Sequence, residues 1–300
     1  MKIKTAILVF SLSLSFNTLA AEKIDTMTAV LPKPSKIISY YGYVYRSFVG
    51  LSAGNSPVFL KEGDMQLHVL ALRYNFTDKW AMRAGSAYLI HDLNFSMMNQ
   101  PMEAHVEGFS DLRVSVVHGI YKNAGHSAEA TLGLNLPTSP ILKDEETGEA
   151  LPPQDQISSG TTDLMTTLTY AFSPNSWTFA QKMDSVIRMG ENSIGYRLGD
   201  EFGLTSSVSY AVKPYFVPSL SARYTDRKRL GVNHMSQPHK ADKYTGSGWE
   251  GSVALRSGIP LGKIMIGAEV GAPFFRTSNT TQYTLGRTLW FASTSVTATF

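Results

Sequence analysis

The final ten residues, Phe291–Phe300, read FASTSVTATF. Hydroxyl-bearing residues alternate with Ala, Val and Phe. Trp290, Ala292, Thr294, Val296, Ala298 and Phe300 therefore share one face, and Ser293, Ser295, Thr297 and Thr299 share the other. A period of two is the signature of a β-strand. An aromatic residue at the end of such a strand, behind alternating apolar residues, resembles the signal by which the outer-membrane insertion machinery recognises barrels. Phe300, Ala298, Val296 and Trp290 are its candidate residues. The pattern predicts a last strand that closes a sheet by pairing with the first.

The rest of the chain is read outward from that strand. It has 300 residues, 43% of them hydrophobic, which is ample for a large domain. Charged residues make up only 17%, below the roughly 25% usual in soluble domains. A net charge of +3 is too close to balance to support a nucleic-acid partner. The chain has no cysteine, which excludes a disulfide scaffold, thiol catalysis and thiolate metal sites.

The N-terminus reads MKIKTAILVFSLSLSFNTLAAEK. Lys2 and Lys4 precede an apolar run from Ala6 to Phe16, and Thr18-Leu19-Ala20 stands before Ala21. A basic start, a short apolar core and a small-residue cleavage site predict a signal peptide over 1–20. A periplasmic segment over 21–35 and a barrel over 36–300 complete the expected organisation. Beyond the signal no stretch of 18 apolar residues occurs, so no transmembrane helix is expected. An exported chain of this kind is either soluble or a membrane β-barrel.

Twelve strand-like stretches follow Ser35: Lys36–Ser47, Asp64–Phe76, Trp80–Ile90, Phe109–Ile120, Ser127–Leu136, Ser159–Phe172, Trp177–Met189, Tyr196–Tyr210, Tyr215–Arg227, Gly246–Ser257, Lys263–Ala272 and Gln282–Phe300. Many reach the nine to eleven or so residues that a tilted strand needs to cross a bilayer. Short connections at Asn75–Lys79, Tyr121–His126, Ser173–Ser176, Ala211–Pro214 and Gly258–Gly262 alternate with longer ones, such as Gly50–Gly63, Asp92–Gly108, Thr138–Ser158 and Lys228–Thr245. That alternation puts tight turns at one end and long loops at the other, as in outer-membrane barrels. Trp80, Trp177, Tyr170, Phe172, Tyr210 and Phe216 cluster beside the short turns, where an interfacial aromatic girdle belongs. The expected fold is all-β: a 12-stranded antiparallel transmembrane β-barrel with short periplasmic turns and long extracellular loops. Its apolar stripes face outer-membrane lipid and its polar set faces a lumen.

Several segments resemble the outer-membrane barrel family named for the MetA pathway of phenol degradation, whose members are often called transporters. They are YNFTDKWAMRAGSAY (Tyr74–Tyr88), GFSDLRVSVVHGIY (Gly108–Tyr121), ATLGLNLPTS (Ala130–Ser139), ISSGTTDLMTTLTY (Ile157–Tyr170), IGYRLGDEF (Ile194–Phe202) and AEVGAPFFRTSN (Ala268–Asn279). The resemblance implies an outer-membrane location in a Gram-negative bacterium and passage of small solutes, aromatic or apolar compounds among them.

Strand parity assigns charged residues to the lumen. The cations are Arg46, Arg73, Arg83, Arg113, Lys182, Arg188, Arg223, Arg256 and Arg287; the anions are Asp111, Glu129, Asp163, Asp184, Glu201, Glu250 and Glu269. Most are expected to pair across strands, with a few left to tune passage. Two loops carry soft ligands: Met97, Met98, Met102 and His105 in one, His234, Met235 and His239 in the other. Thioether and imidazole together suit copper, so metal handling is the alternative function. His234-Met235-Ser236 with Gln237 is the residual case for a phospholipase-type barrel enzyme. No phosphate-cradling, dinucleotide or HExxH motif is present, and no cofactor is expected.

Overall fold

The computed structural model describes residues 36–49, 58–97, 100–140, 157–193, 196–197, 199–212, 216–227, 231–232, 246–278 and 287–300. Its strands are β1 (Lys36–Val49), β2 (Val58–Asn75), β3 (Trp80–Met97), β4 (Gln100–Phe109) and β5 (Leu112–Asn123). These are followed by β6 (His126–Leu136), β7 (Asp163–Phe172), β8 (Trp177–Arg188), β9 (Tyr196–Arg197) and β10 (Glu201–Tyr210). The last five are β11 (Val217–Arg227), β12 (Gly231–Val232), β13 (Gly246–Leu261), β14 (Ile264–Ser278) and β15 (Arg287–Thr299).

Twelve of these strands pair antiparallel in the order β1-β2-β3-β5-β6-β7-β8-β10-β11-β13-β14-β15, and β15 pairs back onto β1. At this seam Ile38 lies opposite Thr299, Tyr41 opposite Val296 and Val44 opposite Ser293. The terminal residue is fully engaged: Phe300 N donates to Ile37 O at 2.9 Å, and Ile37 N donates to Phe300 O at 3.3 Å. Hydrocarbon offers no water to satisfy an unpaired backbone group, so only a sheet without an edge can stand in it.

The outward face is the greasy one. Leu70, Leu72, Val116, Leu132, Leu168, Phe179, Met183, Leu220, Val253, Ile266, Val270 and Val296 all point outward and are exposed. Aromatic contacts mark two heights. Near the short turns are Trp80–His118, His126–Phe172 and Trp177–Tyr210, with ring centroids 4.1, 4.2 and 4.7 Å apart. At the opposite end are Tyr45–Trp290 and Tyr224–Trp249, both at 5.1 Å. Two girdles bracketing an apolar band are the expected surface of a membrane barrel. The turn between β5 and β6 is only Ala124-Gly125, with φ of 46° and 84°. Two successive positive φ values match the twist of the flanking strands, and Gly is the residue that adopts them without steric cost.

The strands run farther than the sequence pattern indicates. β2 and β3 are 18 residues each, taking in part of the expected loops Gly50–Gly63 and Asp92–Gly108. β4 also lies inside the latter loop and pairs only with Tyr88–Met97 of β3. Beyond the bilayer both faces of such a hairpin meet water, so the alternation that reveals a strand disappears. In the other direction, Ser159–Phe172 begins as a strand only at Asp163, and Tyr196–Tyr210 is interrupted between β9 and β10, where β9 pairs with β12 instead. Leu132→Arg places a charge within the lipid-facing band and is expected to cost about 2–4 kcal/mol. Leu132→Phe should be close to neutral; urea unfolding of vesicle-inserted protein measures both.

Candidate functional site

The inward face has two unlike sectors. On β1–β3 and β5 Val44, Met65, Leu67, Val69, Ala71, Ala87, Leu89 and Val117 form a buried apolar patch among Arg73, Asn75, Arg83 and His91. This corrects the expectation of a uniformly polar lumen. On β7–β15 the inner residues are mainly small and hydroxylic, including Thr167, Thr169, Ser207, Ser221, Ser252, Ser293 and Ser295, which the register aligns on one face.

The register also puts Arg46, Arg73, Arg83, Asp111, Arg113, Glu129, Asp163, Lys182, Asp184, Arg188, Glu201, Arg223, Glu250, Arg256 and Glu269 on this inner face. Arg287 opens β15 opposite Val49. At the extracellular ends of β5–β11 the charges form one continuous chain. Arg188 donates from Nη1 to Asp163 and from Nη2 to Glu201 at 2.9 Å, and Arg227 Nε reaches Glu201 at 3.2 Å. Asn135 Nδ2 donates to Asp111 at 2.6 Å and to Asp163 at 3.2 Å. Asp111 further accepts from Ser158 Oγ, from Ser159 N at 3.1 Å and from Ser159 Oγ at 2.8 Å. Thr161 Oγ1 donates to Asp163 at 2.7 Å. The end of the β6–β7 connection is thereby tied to the inner wall, with Ile157 buried beside it.

Farther toward the periplasmic side, Arg223 Nη2 reaches Asp184 at 3.1 Å and Lys182 Nζ lies 4.0 Å from the same carboxylate. Gly203 faces that carboxylate across the β8–β10 pairing, and a Cβ there would lie 2.6 Å from Asp184 Oδ2. The missing side chain is what gives Asp184 room. Arg256–Glu269 at 3.5 Å, Arg276–Glu250 at 3.9 Å and Arg83–Glu129 at 3.7 Å complete the ladder. Arg73 is the exception. Its Nε donates to Asn75 Oδ1 at 2.8 Å, but Nη1 and Nη2 are buried without a hydrogen-bond partner.

Sequence parity put Asn135 on the polar face of its strand but did not find Arg227, Arg276 or the Ser158–Thr161 segment. Arg227 is the last residue of its strand. Arg276 follows a register shift in the β13–β14 pairing that reverses the face counted from Ala272. Asp111 and Ser159 are 48 positions apart in sequence, and nothing local links them.

The soft-ligand loops are only partly within the described residues. Met97 ends β3, Met102 pairs opposite Phe95, and His105 pairs opposite Asp92. His105 Nδ1 lies 2.6 Å from Asp92 Oδ1, and its Nε2 is 3.7 Å from Glu107 Oε2. Met98, His234, Met235 and His239, together with Ser236 and Gln237, lie outside the described residues, as do 1–35. Among the described residues no group of three or more His, Cys, Asp or Glu side chains is placed to hold a metal ion.

No family model and no curated protein matches the chain. Solved structures do. An outer membrane channel from Pseudomonas putida F1 superposes with a TM-score of 0.65 at 13% identity, covering 90% of this chain and 97% of that one. The transport unit of the autotransporter AIDA-I from Escherichia coli gives 0.49 at 12% identity, covering 96% and 98%. The NanC porin gives 0.44 at 10%, covering 87% and 98%. At 13% identity, the first likeness bears on the architecture, an outer-membrane type of barrel.

Two outcomes follow from this geometry. Arg188→Met removes the cation paired with buried Asp163 and leaves Glu201 with Arg227 alone, and is expected to cost about 3–5 kcal/mol, read by denaturant unfolding. On the β4 hairpin outside the ring, the hydrogen bond that His105 donates to Asp92 raises the His105 pKa above its ordinary value. A raised folded pKa gives stability that is present in acid and lost as pH rises through it. Both groups are more than half exposed, so the gain stays below about 1 kcal/mol. An NMR titration should place His105 above the usual value of about 6.5, and Asp92→Asn should bring it down.

Proposed function

We propose that this chain is exported to the outer membrane of a Gram-negative bacterium, cleaved after the segment 1–20, and serves there as a channel for small solutes, aromatic or otherwise apolar compounds among them. The observation that carries this reading is the two-sided inner wall. The row of hydroxyls along β7–β15 offers hydrogen bonds to polar matter passing along the wall. The apolar sector across from that row is packed shut, its residues 0–5% exposed, so passage follows the hydroxylic side. Most of the inner charges are neutralised by a neighbour, which assigns them to holding the wall. Selection then falls to the groups whose donors are unfilled. The resemblance of the Tyr74–Tyr88 and Gly108–Tyr121 segments to a transporter family supports the same reading.

Reconstitution tests it. Folded protein in a planar bilayer should conduct ions, and Ser221→Trp, on the inner face opposite Ser252, should lower conductance several-fold. Leu220→Trp, the outward neighbour, should leave it unchanged. A barrel that stays sealed in every condition, or equal effects of the two substitutions, would rule the channel out.

A further inference from the structure

Among the described residues, Arg73 is a guanidinium of the inner wall with both Nη atoms buried and without a hydrogen bond. Arg73 is 1% exposed and sits near the periplasmic end of β2, directly opposite Ile38 on β1 and Arg83 on β3. Like charges set opposite each other across a sheet repel, and burial strips the water that would screen them. Glu129 lies 3.7 Å from Arg83, and no ion pair within 4 Å reaches Arg73 among the described residues. Asn75 accepts from Arg73 Nε at 2.8 Å, and its own Nδ2 donates to Lys36 O at 3.4 Å. The guanidinium plane is thus fixed from one side, while the far edge, Nη1 and Nη2, carries no hydrogen bond. Around it the wall is apolar: Ile38, Ala71, Ala81 and Val117 are all buried.

We propose that Arg73 is the anchor of a binding site for a small organic carboxylate with an apolar body. A carboxylate presents two oxygens at the spacing of the Nη1–Nη2 fork and supplies the missing negative charge. Arg73, Ala71, Val69 and Leu67 are 1, 5, 0 and 1% exposed, so the packed wall has to part before its apolar sector takes the hydrocarbon part. An alcohol of the same shape leaves the charge uncompensated, and an ammonium is repelled by both arginines. The proposal rests on the channel reading only for the route by which the ligand arrives; binding itself is measured separately.

Isothermal titration of the full chain in detergent, at constant ionic strength, uses benzoate, benzyl alcohol and benzylammonium as probes. Benzoate should bind saturably, and the other two at least tenfold more weakly. Arg73→Gln should weaken benzoate at least tenfold. Arg73→Lys keeps the charge but loses the fork and should fall in between, so it serves as the second variant if Arg73→Gln does not fold. Arg256→Gln, whose parent is paired with Glu269, should bind as the parent does. Equal affinity in parent and Arg73→Gln, or no benzoate binding by the parent, overturns the site. A conducting barrel that ignores benzoate would refute the site and leave the channel standing; a sealed barrel that binds it would do the reverse.

Discussion

The structure depends on the pairing of its first strand with its last. A backbone N–H or C=O left without a partner in hydrocarbon costs several kcal/mol, and an open sheet would expose a whole row of them. The β1–β15 seam removes that row, down to the reciprocal bonds between Ile37 and Phe300. Closure fixes everything else about the faces. Once the sheet is a cylinder, every second residue must suit acyl chains and the others must suit whatever lies inside. Val296 and Ser295, neighbours in sequence, are separated by the thickness of the wall.

Inside, the electrostatic problem is solved locally. The network from Asp111 through Asn135, Asp163, Arg188 and Glu201 to Arg227 crosses six neighbouring strands, with the Asn135 amide joining two carboxylates and guanidinium groups joining the rest. Such a belt braces the extracellular end of the wall, and it draws Ser158 and Ser159 inward because Asp111 needs their donors. The cost of burying these charges is offset only while each keeps its partner. Arg73 departs from that rule at the other end of the lumen. Its two nitrogens without hydrogen bonds are, among the described residues, a feature of the wall that bracing does not account for.

The fold was legible wherever one face of a strand is apolar and the other is not. β6 alternates Ala128, Ala130, Leu132 and Leu134 against Glu129, Thr131, Gly133 and Asn135, and β15 does the same. All twelve ring strands correspond to stretches read as strands, though not all of them by that rule. β2 defeats it: MQLHVLALRYN is apolar at both parities, because Leu70 and Leu72 meet lipid while Leu67 and Val69 line the inner wall. Period-two reasoning therefore placed Arg73 on the inner face without revealing its apolar surroundings. Strand ends beyond the bilayer were hidden because water lies on both sides of them. The belt was half visible, as charges of the right parity, but which charges meet depends on register, on the shift near Gly251 and on a connection returning from far along the chain.

The seam can be tested directly because the chain has no cysteine of its own. Tyr41→Cys and Val296→Cys, introduced together, fall opposite each other on the outer face of the β1–β15 pair. In membranes of intact cells a mild oxidant should join them within one molecule, changing its mobility on a denaturing gel. Tyr41→Cys with Thr297→Cys, one residue along and through the wall, should not react. Efficient joining of the second pair but not the first, or a cysteine pair that reacts only between molecules, would mean that the cylinder does not close in this way.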